Sequence, residues 1–167
     1  MRHAAFTQPL TDAELQELGR LVVNCGFVEF LLDFHAGMSF RLDAVARREL
    51  IAPLATRRKI EIIESHLPDI PRTETRQLVG DAIKLIGPTI RARNYLLHGI
   101  WGMDGPQDNA KSVVVSPKYD QGHKGSEEIA VVADGLAVAS EKLAVALVED
   151  GGGTATIPDR LVIQLSE

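Results

Sequence analysis

One stretch of the chain concentrates residues that could handle a phosphodiester: Arg91-Ala92-Arg93-Asn94-Tyr95-Leu96-Leu97-His98-Gly99-Ile100-Trp101. A guanidinium grips a non-bridging phosphate oxygen in a two-point fork, and an imidazole with a pKa near neutrality moves a proton. At about 100° per residue on a helix, Asn94 and His98 lie about 40° apart and face one pocket, with Arg91 on the same stripe. Arg93 falls about 140° from His98, so it meets His98 only by curling its long side chain or in a cavity shared with a second subunit. A plainer reading stands beside this one. A histidine in a last helical turn satisfies terminal carbonyls and the helix dipole, and the arginines are solvated or paired with carboxylates such as Glu29. Spacing leaves both open.

Few other chemistries find support. The five histidines (His3, His35, His66, His98 and His123) show no i, i+3 or i, i+4 pair, and Cys25 is the single cysteine, so neither a metal site nor a disulfide framework is expected. No cofactor motif occurs: there is no Walker loop, no G-x-G-x-x-G and no G-x-S-x-G elbow. Cys25 sits on an apolar stripe with Val22 and Val28 and reads as a small packed hydrophobe. Net charge is −5, which argues against a broad nucleic-acid surface. Charge is uneven, however: Arg72, Arg76, Lys84, Arg91 and Arg93 outweigh Glu74 and Asp81 between positions 72 and 101. An acidic molecule with one basic helix suits a confined anionic ligand.

The elements that must carry these residues are helical. With 167 residues and 45% hydrophobic composition, the chain suits one domain burying about 70% of its unfolded surface. Thr11-Asp-Ala-Glu14 is a capping box, and Leu15, Leu18, Leu21, Val22, Cys25, Val28 and Leu32 recur at helical spacing. The first helix is therefore expected to reach about His35, with Gly37 as its stop. Two shorter helices follow at residues 43–52 and 56–66, then a turn at 67–71. A long helix over residues 73–98 is expected to kink or split at Pro88, and Gly99 to end it. Strands are expected at 100–101 and 112–116, a last helix at 133–149, and loops between them. Gly151-Gly152-Gly153 reads as a flexible joint to a strand-like tail. The expected fold is mainly α, an up-and-down bundle of four to five helices with a small β insertion before the last. Residues 1–10 form a lead-in, 11–150 the domain and 151–167 the tail. No run of 18 uninterrupted apolar residues occurs and the first ten residues lack an export signal, so a cytoplasmic protein without membrane contact is expected.

Arg93-Asn94-x-x-x-His98, followed by Gly99 and an aromatic at Trp101, resembles the R-x(4–6)-H motif of the HEPN superfamily (higher eukaryotes and prokaryotes nucleotide-binding) in its R-N-x-x-x-H form. The order of elements is also similar, with an acid (Glu29) in a long first helix, a motif helix, a β excursion and a final helix. The resemblance covers about residues 11–149, although its specific part spans only about nine. It implies a dimeric helical bundle acting as a metal-independent endoribonuclease on RNA, as the toxin of a toxin–antitoxin or antiphage system with a cognate antitoxin protein. The alternative it implies is a catalytically silent dimeric module for nucleotide or partner binding. By the resemblance, Arg93 binds the scissile phosphate, His98 acts as general base or acid, and Asn94 positions the phosphate or His98. Arg91, Tyr95 and Glu29 contribute to substrate binding: Glu29 orients its partners, and Tyr95 either stacks on a base or fills core. The acidic pI departs from what a broad RNA-binding surface would need.

Overall fold

A computed structural model of the chain describes residues 10–98, 100–104, 111–115, 124–125 and 127–150. All but the last residue of the expected lead-in at 1–10, the Gly99 stop, most of the loops around the strands and the tail at 151–167 lie outside the described residues.

The first helix, α1 (Asp12–Ser39), opens on the expected capping box: Glu14 N–H donates to Thr11 Oγ1 at 3.2 Å and Thr11 N–H to Glu14 Oε2 at 2.7 Å. Two orphan amides of the first turn are thereby satisfied. The helix does not stop at Gly37. It runs to Ser39 and closes in a Schellman arrangement, with Leu42 N–H donating to Gly37 O and Arg41 N–H to Met38 O. The left-handed position this motif requires is filled by Arg41, at φ 53°. Gly37 has a different task. A Cβ there would lie 2.8 Å from Arg47 Cδ, so the missing side chain lets α2 (Ala44–Leu50) close onto α1. That closure seats the Arg47 guanidinium 3.5 Å from the Phe34 ring centre, a cation–π contact.

Helix α3 (Thr56–His66) matches its expected bounds, and a 3₁₀ turn at Leu67–Asp69 leads to α4 (Thr73–His98). Pro88 does not split α4. Lys84 and Pro88 share an exposed stripe, so water can serve the Lys84 carbonyl that the proline cannot pair. Between α4 and α5 the described backbone pairs as antiparallel strands β1 (Ile100–Asp104), β2 (Lys111–Val115) and β3 (Lys124–Gly125), in that order, with Ile100 opposite Val115. Trp101 Nε1 donates to Leu96 O at 3.1 Å and ties β1 back to the motif helix. Helix α5 (Glu127–Asp150) begins six residues before the expected start, because Ile129 and Val132 extend its buried face.

Contacts between named residues give the helix directions. Arg20 pairs with Asp134 and His35 Nε2 lies 3.0 Å from Leu143 O, so α1 and α5 run the same way. Arg72 donates to Glu149 O, while Gly135 lies against Thr89, so α4 runs opposite to α5. With α2 descending beside α1 and α3 rising beside it, the five helices alternate up and down as expected. Leu21, Leu32, Ile86, Leu96, Ile129 and Leu143, each fully buried, form the centre of the core. The small-residue face of α5 (Ala139, Ala144, Ala146) belongs to this core. Leu15 and Val22, expected to face inward, point out with Val23 and Phe30. Helix α1 is long and apolar enough to cross a membrane by length and composition; here Leu21, Val28, Leu32 and Ala36 pack it into the bundle.

Candidate functional site

The last two turns of α4 present their polar residues on two sides. Arg91 and His98 are exposed and Asn94 is half-buried, forming the outward stripe that helical geometry predicts. His98 caps the C-terminal end of this stripe, where a cation is favoured by the helix dipole. Arg93 turns the other way, toward α1, and sets its guanidinium 3.6 Å from Glu29 Oε1. Among the described residues no hydrogen bond or ion pair joins Arg93 to His98. Within one chain, the two groups expected to work together stand on different faces of the helix.

Glu29 is the hub of a larger cluster. Thr56, at the start of α3, donates its hydroxyl to Glu29 Oε1, and Lys59 Nζ donates to Glu29 Oε2 at 3.3 Å. The same Lys59 Nζ forms a close ion pair with Asp33 Oδ1, at 2.6 Å. Only 4% of the Lys59 side chain is exposed, against 20% of Asp33, 21% of Arg93 and 33% of Glu29. Two carboxylates and two cations therefore balance where α1, α3 and α4 meet, and the buried ammonium is held by the pair of acids that a buried charge requires.

Lys59, Asp33 and Thr56 were not among the expected site residues. A signal for them exists: Lys59 falls three and four residues before Ile62 and Ile63 on the buried face of α3, and a cation on an apolar stripe implies a buried acid partner. Glu29 and Asp33 stand one turn apart on α1, where they can share that cation.

Cys25 is buried one turn before Glu29. Burial pushes its thiol above the usual range and Glu29 adds to this, while Arg93 pulls in the opposite direction. It is a packed residue, not a thiolate nucleophile. Tyr95 is 2% exposed and lies in the core, so of its two readings the filling of core is the one observed, and its ring offers no face to a base in this conformation. A cavity of about 310 Å³ lies at the opposite end of the bundle, between His35, Met38, Ile63, His66 and Ile70, far from the motif residues. Among the described residues no group of three or more His, Cys, Asp or Glu side chains is arranged to hold a metal ion. Compared with models of protein families, with curated proteins and with solved structures, the chain matches none.

Proposed function

We propose that the protein is a metal-independent endoribonuclease of HEPN type that cleaves RNA by attack of the ribose 2′-OH. The observation that carries this reading is the outward placement of His98 at the end of α4, with the half-buried Arg93 guanidinium five residues before it, held by a long, partly exposed contact to Glu29. His98 takes the 2′-OH proton, O2′ bonds to phosphorus, and the bond to the 5′-oxygen breaks as that oxygen receives a proton. The products are a 2′,3′-cyclic phosphate and a 5′-OH. Arg93 neutralises the charge that develops on the non-bridging oxygens, and Asn94 holds the phosphate or the imidazole.

A base and an acid are needed on opposite sides of the phosphorus, and one chain offers one histidine in the motif. A two-fold dimer supplies both. The exposed Val22 and Val23 on α1 support this arrangement, because Arg20–Asp134, Asn24 to Ala133 O and the Gly135–Thr89 approach put the first half of α1 at the same end of the bundle as the motif. In this reading the protein is cytoplasmic, acts on RNA, uses no cofactor, and is the toxin of a toxin–antitoxin or antiphage system restrained by a cognate antitoxin.

A second reading rests on one observation: Arg93 already has a carboxylate partner within its own chain. It makes the protein a catalytically silent dimeric module for nucleotide or partner binding. Incubation with total RNA, with and without EDTA, separates the two. Cleavage that persists in EDTA and leaves cyclic phosphate ends is the expected result. Cleavage that needs added Mg²⁺ or Mn²⁺ overturns the acid–base mechanism, and a pure, dimeric protein that binds RNA without cleaving it establishes the silent module.

A further inference from the structure

We infer that Lys59 is a positioning residue that governs how readily Arg93 leaves Glu29 for an incoming phosphate; this rests on the ribonuclease reading only for the identity of the anion. Glu29 has three partners from two helices: the Thr56 hydroxyl and the Lys59 ammonium at 3.3 Å on α3, and the Arg93 guanidinium at 3.6 Å on α4. The partners differ in freedom. Lys59 is almost fully enclosed and pinned closely by Asp33 at 2.6 Å, whereas Arg93 is about a fifth exposed and makes the longest contact. When a rearrangement occurs, Arg93 is the member that can go.

Its departure strands no charge. Glu29 retains an ammonium and a hydroxyl, so the half-buried carboxylate keeps a counter-charge while the guanidinium takes a phosphate oxygen. Without Lys59, Arg93 would be the one cation serving both Glu29 and Asp33, and removing it would leave two acids facing each other one helical turn apart. Lys59 thus loosens the grip of Glu29 on Arg93. Asp33 acts in the opposite sense, because it draws the ammonium away from Glu29.

The test reads Arg93 directly. Full-length protein is treated with phenylglyoxal, an arginine-selective reagent, and modification of Arg93 is measured by peptide mass spectrometry against the exposed Arg91 as internal reference. Asp33→Asn and Glu29→Gln should each raise the Arg93 to Arg91 ratio about threefold, the change expected for a partly exposed ion pair. The double variant Lys59→Met with Asp33→Asn, which removes both members of the closest pair and leaves no enclosed charge alone, should lower it about threefold. Asp33→Asn keeps the cation and gives a reading even when the double variant does not fold. An unchanged or lowered ratio in Asp33→Asn, or an unchanged ratio in a folded double variant, overturns the proposal. Equilibrium binding of a 2′-deoxy oligonucleotide, which lacks the attacking hydroxyl, should follow the same order. Should the ratios shift as expected while wild-type protein neither binds this oligonucleotide nor cleaves RNA, the ribonuclease reading fails and the role of Lys59 stands.

Discussion

Arg93 on α4 lies 3.6 Å from Glu29 on α1, just beyond hydrogen-bond range, while Lys59 and Thr56 occupy the hydrogen-bonding positions on the same carboxylate. The charge attraction is therefore real but weak, about 1 kcal/mol for a contact with this exposure. Arg93 is kept near the surface without being locked there.

Arg93→Ala should accordingly change folding stability by less than about 1 kcal/mol, since Glu29 keeps its other partners. RNA cleavage should fall by about 10²–10³-fold and RNA affinity should fall with it, because the guanidinium serves bound and transition-state phosphate alike. Urea denaturation and single-turnover cleavage measure the two effects separately. A folded Arg93→Ala protein that cleaves at the wild-type rate is incompatible with the proposed role.

His98→Ala should behave differently. The residue is exposed at a helix end, so stability should stay within about 0.5 kcal/mol of wild type. Cleavage should be lost while oligonucleotide binding persists, because the imidazole moves protons in the reaction and the phosphate is gripped by Arg93. Mixing Arg93→Ala with His98→Ala subunits should restore part of the activity if two chains share one cleft. Full activity in a protein that sediments as a monomer would sink the shared cleft.

The end of α1 offers a stability test with opposite signs. Arg41→Gly relieves a left-handed backbone position (φ 53°) and should stabilise the protein by about 1 kcal/mol. Gly37→Ala puts a methyl 2.8 Å from Arg47 Cδ and must move that side chain off the Phe34 ring, costing about 1 kcal/mol. Thermal denaturation of the two variants beside wild type checks both; a stabilised Gly37→Ala would show that the close approach of α2 has no such requirement.

The raised thiol of Cys25 predicts a pH dependence. The folded state keeps the proton at a pH where the unfolded chain, with an ordinary pKa of about 8.5, has lost it. The contribution of Cys25 is then fully present below that value and is lost as pH rises from it through the folded pKa. Wild type should lose more stability than Cys25→Ala between neutral pH and mildly alkaline pH, and equal losses would contradict the shift. Glu61 carries the opposite sign: its carboxyl is lowered by the Arg58 hydrogen bond, so its contribution is present at neutral pH and fades as acid protonates it.

Much of the helical framework was legible without coordinates because its determinants are neighbours along the chain. The Thr11–Glu14 capping box, the α3 bounds and the reach of α4 to His98 depend on hydrogen bonds and apolar spacing within about four residues. The angle that separates Arg93 from His98 is likewise a property of any helix. Distant contacts decided the rest. Gly37 looked like a stop, but the approach of Arg47 is what requires a residue without a side chain there, and the helix ends instead on Arg41. Val22 and Leu15 fit the apolar repeat of α1 as well as Leu21 and Cys25 do, and only the position of α5 and α3 determined which of them face water. The cluster around Glu29 draws on α1, α3 and α4 together. Periodicity records which face of a helix is apolar, but a buried charge is stable only where another element brings its counter-charge, and that depends on which helices meet.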